Sequence, residues 1–462
     1  MKRIGILTAG GDTPALNATL HGAVVRASQR KVEAVGLLKG FSSLFNPRVP
    51  HVRLNPLFIP IPELDPTRGG TIIGASRQYV NAADTPAVEA IVERLRRLQI
   101  EGLICIGGDG TLNATLALAE HLPCVLAPKT IDNDLGLNYR HEPDEWTRVA
   151  LPGQPGFRYV RQPSASSTGP LDLEHMINYV TPGFATSVFV SAAGVQRIRT
   201  TAESHRRIGI VEVMGRHSGY LALGSAYGQP DIILVPEVPV DLDRLVEHVK
   251  KNYEVQKNAI ILCAEGIVDQ QGRELGAEEN STDPAGNRVL HGAAEALRNL
   301  LIERLGDSYF TSRNRNESAR AAIFTRKVGH TQRGGRPIQF DRFYGSLLGG
   351  HAVDMLLEGN VGGVAILQWN RAQGFHLGCV HANDFRDRWG NIHARHMHPS
   401  FFDAENLRVS PVGIEYLRQI FVDAVGADDV EALRTLFHPG NLTEPYHSVN
   451  VDVNKRVCLL DD

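Results

Sequence analysis

Four short apolar runs near the start of the chain, "RIGILTA" (3–9), "VEAVGLLK" (32–39), "GLICI" (102–106) and "PCVLA" (123–127), constrain the fold most. Unbroken apolar runs of this length suit strands covered on both faces, as in a parallel sheet. Between them, "TPAVEAIVERLRRLQ" (85–99) carries Val88, Ile91, Val92 and Leu95 on one stripe and reads as an amphipathic helix. Thr85 can cap it, and Pro86 suits its first turn. Strand, helix, strand in this order predicts a doubly wound α/β domain. After residue 177 the rhythm resumes with a helix near 183–200 and strands at 207–215, 231–237 and 259–266. "VDLDRLVEHVKKNYE" and "GAAEALRNLLIERL" supply intervening helices, and 340–359 reads as a helix with small residues for close packing. The fold expected is two doubly wound α/β domains with mainly parallel sheets and an active site in the cleft between them.

The rhythm stops between 138 and 177, a stretch rich in Pro, Gly and Ser with little periodicity. About 40 such residues exceed what a compact connection needs, so the segment is expected to serve function, as a lid or a shaper of the site. The tail after about residue 423 is less patterned.

The 462 residues, 42% hydrophobic and 21% charged, allow two or three globular domains. A net charge of −3 gives no broad basic surface for nucleic acid or an anionic membrane, so any bound phosphate must be held by a few placed groups. No apolar run approaches the roughly 20 residues of a membrane span. The five cysteines are scattered with no C-x-x-C pair, which suits a reducing compartment. A soluble, cytoplasmic protein is expected.

Three glycine-rich turns stand out: "TAGGDTPALNA" (8–18), "GGTIIGASR" (69–77) and "IGGDGTLNA" (106–114). Glycines after a strand admit positive φ and let N–H groups approach an anion, and a following helix adds its positive end. None is a Walker A loop or G-x-G-x-x-G. "APKTIDNDLG" (127–136) then places Lys129, Thr130, Asp132 and Asp134 at the end of an apolar run. Asp109 and Asp134 could hold Mg²⁺ across phosphates, leaving Asp132 to accept a proton from a hydroxyl. Lys129 would face charge on a moving phosphoryl group, with Thr130 hydrogen-bonding it. The alternative is that both aspartates merely cap a turn. Further on, Arg207, Arg216, His330 and Arg333 could clamp a sugar phosphate. "HARHMH" (393–398) has three histidines but no adjoining cysteine or acidic cluster, so it reads as a polar loop rather than a zinc site.

In order, Gly-Gly-Asp at 10–12, "GGTIIGASR", "GGDGT", "PKTIDND", "VMGR", "AEG" and "GHTQRGG" resemble the phosphofructokinase family over most of residues 1–375. "GGDGT" alone would also suit NAD kinases and diacylglycerol kinases, in which "TIDND" and "MGR" are not expected. The resemblance implies Mg²⁺-dependent phosphoryl transfer from ATP to the 1-hydroxyl of fructose 6-phosphate, the glycolytic step. It makes Asp132 the base, Asp109 the magnesium ligand, and Arg77 and Thr130 contacts of the moving phosphoryl group beside Lys129. Gly11, Gly108, Gly110 and Thr111 would bind the donor. On the sugar-phosphate side stand Asp134, Met214, Gly215, Arg216 and Glu265, with Arg207, His330 and Arg333 around the 6-phosphate. The counterpart of Arg207 comes from a neighbouring subunit, implying a homodimer or homotetramer.

The implied division is 1–137 with about 332–385 for the donor, 138–177 as insert, 178–331 with about 386–422 for the sugar phosphate, and 423–462 as tail. Pyrophosphate users in the family tend to carry Asp at the place of Gly110 and Lys at that of Lys129, whereas familiar bacterial ATP enzymes have Gly at both. Gly110 with Lys129 is a mixed pattern, read here as favouring ATP, with pyrophosphate or another acceptor sugar as alternatives. A non-catalytic sugar-phosphate sensor would predict loss of the acidic residues, and all three are present. Phe324 replaces a frequent cross-subunit arginine, and His21 and Val25 stand at two effector-site arginine positions, so bacterial-type regulation is not expected.

Overall fold

A computed structural model describes residues 1–151, 153, 155–282, 288–290, 292–312, 318–436 and 446–461. The first strands are β1 (Arg3–Thr8), β2 (Glu33–Leu37), β3 (His51–Arg53), β4 (Gly102–Gly107) and β5 (Cys124–Pro128). A hairpin, β6 (Trp146–Ala150) and β7 (Phe157–Arg161), precedes β8 (Ile208–Val213), β9 (Ile232–Leu234) and β10 (Ala259–Ala264). A second strand pair, β11 (Ala277–Thr282) and β12 (Arg288–Leu290), leads to β13 (Ile323–Lys327), β14 (Gly363–Asn370) and β15 (Gly374–His381).

Two parallel sheets carry the site. The larger has the order β15-β14-β5-β4-β1-β2-β3, with antiparallel pairing only at its two edges, β14–β15 and β2–β3. The smaller, β13-β8-β10-β9, is parallel throughout. Every residue of β4, β5, β8 and β10 is buried, as the unbroken apolar runs predicted. Only three residues of the expected strand at 231–237 pair, because the chain turns at Pro236.

The helix expected at 85–99 spans Thr85–Arg97 and buries Val88, Ile91, Val92 and Leu95. Its cap is Asp84, whose carboxylate accepts from Ala87 N–H at 3.2 Å. Thr85, read as the cap, is instead the first helical residue: a carboxylate one position earlier was the better acceptor for the free N–H groups.

Helix α1 (Leu16–Gln29) crosses α7 (Gln339–Leu357) closely; α2 (Thr85–Arg97), α3 (Asp109–Ala119), α4 (Phe184–His205), α5 (Leu242–Gln256) and α6 (Ala293–Thr311) lie between them in the chain. A Cβ on Gly349 would lie 1.9 Å from the Thr19 carbonyl oxygen, and one on Gly22 1.9 Å from that of Ser346. Gly349→Val therefore forces two backbones apart and is expected to cost about 3 kcal/mol in a denaturant titration. Gly350→Ala meets nothing nearer than 3.6 Å and should leave the midpoint level or slightly raised.

The segment 138–177 contains structure its sequence hid: "FRYVR" pairs with "WTRVA" as the β6–β7 hairpin. Arg161 fastens it, 3.1 Å from Glu142 and 3.0 Å from Glu145. The expected tail is partly outside the described residues. Its last stretch returns to the large sheet, where Cys458 and His51 exchange backbone hydrogen bonds of 2.8 and 3.0 Å. Among the described residues, no helix is long and apolar enough to cross a membrane.

Candidate active site

In parallel sheets the carboxyl ends of the strands open onto the connecting loops, where ligands bind. Here β1, β4 and β5 deliver Gly10–Gly11, Gly108–Gly110 and Lys129–Asp134, while β8 and β10 deliver Arg216 and Glu265 to the same place. A cleft of about 500 Å³ is lined by Gly11, Arg77, Gly108, Asp109, Gly110, Lys129, Thr130, Asp132, Asp134, Arg216, Glu265 and Arg333. His330 lines an adjoining hollow that shares Gly11, Arg77 and Arg333.

The remaining expected residues stand apart. Thr111 is fully buried in the first turn of α3, with its side chain against Gly107. Met214 is buried and donates its N–H to Gln332 Oε1 at 3.0 Å. Gly215 has φ +119°, and a Cβ there would lie 2.8 Å from the Ser218 carbonyl oxygen, so it shapes the turn that presents Arg216. Arg207 precedes β8 at the end opposite the cleft.

The loop after β5 is tightly wired. Thr130 Oγ1 donates to Asp134 Oδ1 at 2.7 Å and accepts from Asp132 N–H at 3.1 Å. Asn133 takes the left-handed conformation, φ +55°, and turns the chain so that Asp132 and Asp134 both reach the cleft. Asp132 Oδ1 is buried without a hydrogen-bond partner among the described residues. On α3, Gly110 N–H donates to Asp109 Oδ1 at 2.8 Å. Lys129 Nζ donates to the Gly11 carbonyl, and Arg333 Nη1 reaches the Asp12 carbonyl at 3.2 Å.

This crowding of like charges sets the electrostatics. Burial, then the charge of Asp134, pushes Asp132 up to about 7, against the pull of Arg333 and Arg216. The same two causes push Asp109 up to about 6. Burial and the neighbouring Arg333 lower Lys129 to about 8. A carboxylate titrating near neutrality, a second acidic group beside it and converging cations are the groups that phosphoryl transfer draws on.

Sequence reasoning gave no role to Tyr79, Asn113 or His217, which also line this cleft; Asn113 lies within the glycine-rich turn at 106–114, whereas Tyr79 and His217 follow no phosphate-binding pattern. Tyr79 matters most. A Cβ on Gly110 would lie 3.0 Å from its ring, so the tyrosine covers that glycine. A larger hollow of about 700 Å³ lies between α1 and α7, lined by His21, Val25, Arg342 and Phe343, away from the cleft.

Fold and cleft together define a phosphotransferase of the two-sheet α/β class. A family model described as "Phosphofructokinase" matches residues 3–139 and 172–356, passing over the hairpin insert. The chain belongs to the phosphofructokinase family. It is 34% identical over 376 residues to ATP-dependent 6-phosphofructokinase 3 of Streptomyces coelicolor, covering 79% of this chain and 91% of that one. It is also 34% identical over 363 residues to pyrophosphate–fructose 6-phosphate 1-phosphotransferase of Dictyoglomus thermophilum, covering 78% and 88%. Among solved structures, the pyrophosphate-dependent phosphofructokinase of Nitrosospira multiformis shares the fold with a TM-score of 0.68, 16% identity and 92% of each chain covered.

Proposed function

We propose that this chain transfers the terminal phosphoryl group of ATP to the 1-hydroxyl of fructose 6-phosphate. The observation that carries the reading is the convergence of Asp109, Asp132 and Asp134 with Lys129, Arg77, Arg216 and Arg333 on one cleft between two sheets. Asp132 takes the proton of the attacking hydroxyl, which frees the oxygen for in-line attack. Its raised affinity for protons suits that task at neutral pH, and its unpartnered Oδ1 is available to the hydroxyl. Lys129, Arg77 and Arg333 oppose the charge on the transferring group, and Arg216 and His330 hold the sugar phosphate. Gly11, Gly108 and Gly110 offer backbone approach to the donor.

The acidic pair fits a magnesium ion. Asp134 is near enough to raise the proton affinity of Asp109, and no cluster of three or more His, Cys, Asp or Glu suited to a metal exists among the described residues. Two carboxylates plus phosphate oxygens and water are what Mg²⁺ accepts. Asp109, with Asp134, would hold it, and the ion would neutralise charge on the donor phosphates.

Arg207 supports assembly into a homo-oligomer: at the far end of β8 it can serve a sugar phosphate only in another copy's cleft.

Gly110 lacks the carboxylate that would repel a nucleotide's α-phosphate, which favours ATP. The Tyr79 ring over Gly110 takes up part of that room and favours the smaller pyrophosphate as second reading. A coupled assay of fructose 1,6-bisphosphate formation decides: turnover with ATP is expected, rising in Tyr79→Ala if the ring restricts the nucleotide. Activity with pyrophosphate alone would overturn the choice of donor. Binding of fructose 6-phosphate with no product from either donor would make the protein a sensor rather than an enzyme.

A further inference from the structure

"HARHMH" reads as a polar loop, yet its arginine is among the largest fully buried side chains, with Arg395 only 2% exposed. A buried guanidinium ordinarily pairs with an acid. Among the described residues no carboxylate lies within 4.0 Å of this one; Glu142, the acid that feels its charge, is paired with Arg161 of the hairpin. Arg395 instead spends its donors on main-chain carbonyls. Nε and Nη2 both reach the Asn133 carbonyl, at 3.0 and 2.6 Å, and Nη1 reaches that of Asn178. Its own backbone N–H donates to the Asp134 carbonyl at 2.6 Å. The Tyr220 ring covers the guanidinium, 4.9 Å from its carbon.

We infer that Arg395 is a positioning residue for phosphoryl transfer, holding the left-handed turn at Asn133 so that Asp132 and Asp134 point together into the cleft. It rests on the phosphotransfer reading above. The peptide it grips, Asn133–Asp134, joins the two functional carboxylates, and Asn133 sits in the left-handed region, which few non-glycine residues other than asparagine and aspartate adopt. The side chain of Asn133 is tied as well, donating to Tyr416 Oη at 2.8 Å and accepting from Thr181 N–H at 2.9 Å. Among the described residues, the guanidinium of Arg395 is what holds the carbonyl. A carboxylate displaced by about 1 Å loses on the order of a hundredfold in rate without losing its chemistry.

Arg395→Ala is compared with the native enzyme by steady-state kinetics, calorimetric titration with fructose 6-phosphate, and kinetics in low concentrations of guanidinium chloride, with sodium chloride and urea as controls. The expected result is kcat lower by about a hundredfold, unchanged sugar-phosphate affinity and stoichiometry, and recovery with guanidinium but not urea. A cavity left by a merely structural arginine would not restore turnover on filling. Full turnover in the variant overturns the inference, as does a loss matched by lost binding sites and unrelieved by guanidinium. Should Arg395→Ala not fold, Arg395→Lys decides: reduced kcat at native KM supports the assignment and native kcat overturns it. No turnover by the native chain with either donor sinks the phosphotransfer reading and this inference with it, whereas a fully active Arg395→Ala sinks the inference alone.

Discussion

Asp132→Asn lowers kcat by a factor on the order of 10² to 10⁴, the usual contribution of a general base, while fructose 6-phosphate still binds. The amide matches the carboxylate in shape, so the loop wiring through Thr130 and Asn133 survives and lost fold does not enter the comparison. Removing one of two like charges also relieves Asp134, so the variant should be no less stable than the parent. A kcat within a few-fold of native would show that the proton goes elsewhere. The same carboxylate governs the acid limb of the pH profile. Asp132 must be ionised to act, and its folded value lies well above the ordinary carboxylate range, so kcat/KM climbs with pH through about 7. The charge of Asp134 contributes to that raised value, so the limb should shift to lower pH in Asp134→Asn.

Lys129→Met gives the second large effect, a fall in kcat of about a hundredfold or more, of the size seen when a preorganised electrostatic group is removed. The ammonium is buried, donates to the Gly11 carbonyl, and offsets Asp12, Asp109 and Asp134. Methionine fills its space but leaves those carboxylates uncompensated, so Asp109 should bind protons more tightly. The alkaline limb follows from the same lysine. It acts as a cation and is lowered to about 8, so kcat/KM declines as pH rises past that value. Lys129→Arg, which stays charged, should carry the descending limb to higher pH, and an unmoved limb would assign it to another group.

Much of this arrangement was legible because local chemistry and tertiary placement agree along the parallel strands. Runs such as "GLICI" have no polar alternative, and the glycine turns that follow them can only open at the strand ends. The loop "TIDND" was legible for a similar reason, since its charges follow directly on a buried strand. What escaped was decided by distant partners. The hairpin at 146–161 is stabilised by Arg161 reaching back to Glu142 and Glu145, which no local pattern announces. Arg395 lies in a stretch that reads as a polar loop, whereas its neighbours in space are the carbonyls of Asn133 and Asn178. Tyr79 lies in a loop without periodicity, so its place over Gly110 came only from the fold.

The order of strands in the large sheet also bears on how the protein is made. β5 receives its neighbour β14 only when Gly363 and Val364 come to lie beside Val125 and Leu126, after the entire second sheet has been threaded between them. The glycine seam of α1 waits equally long for α7. A ribosome-bound chain thus carries a bare parallel edge and an uncovered helix through most of its synthesis, and pairings this remote in sequence form slowly. Slowing translation or raising chaperone supply at that half-made stage is accordingly expected to raise soluble yield in an expression host.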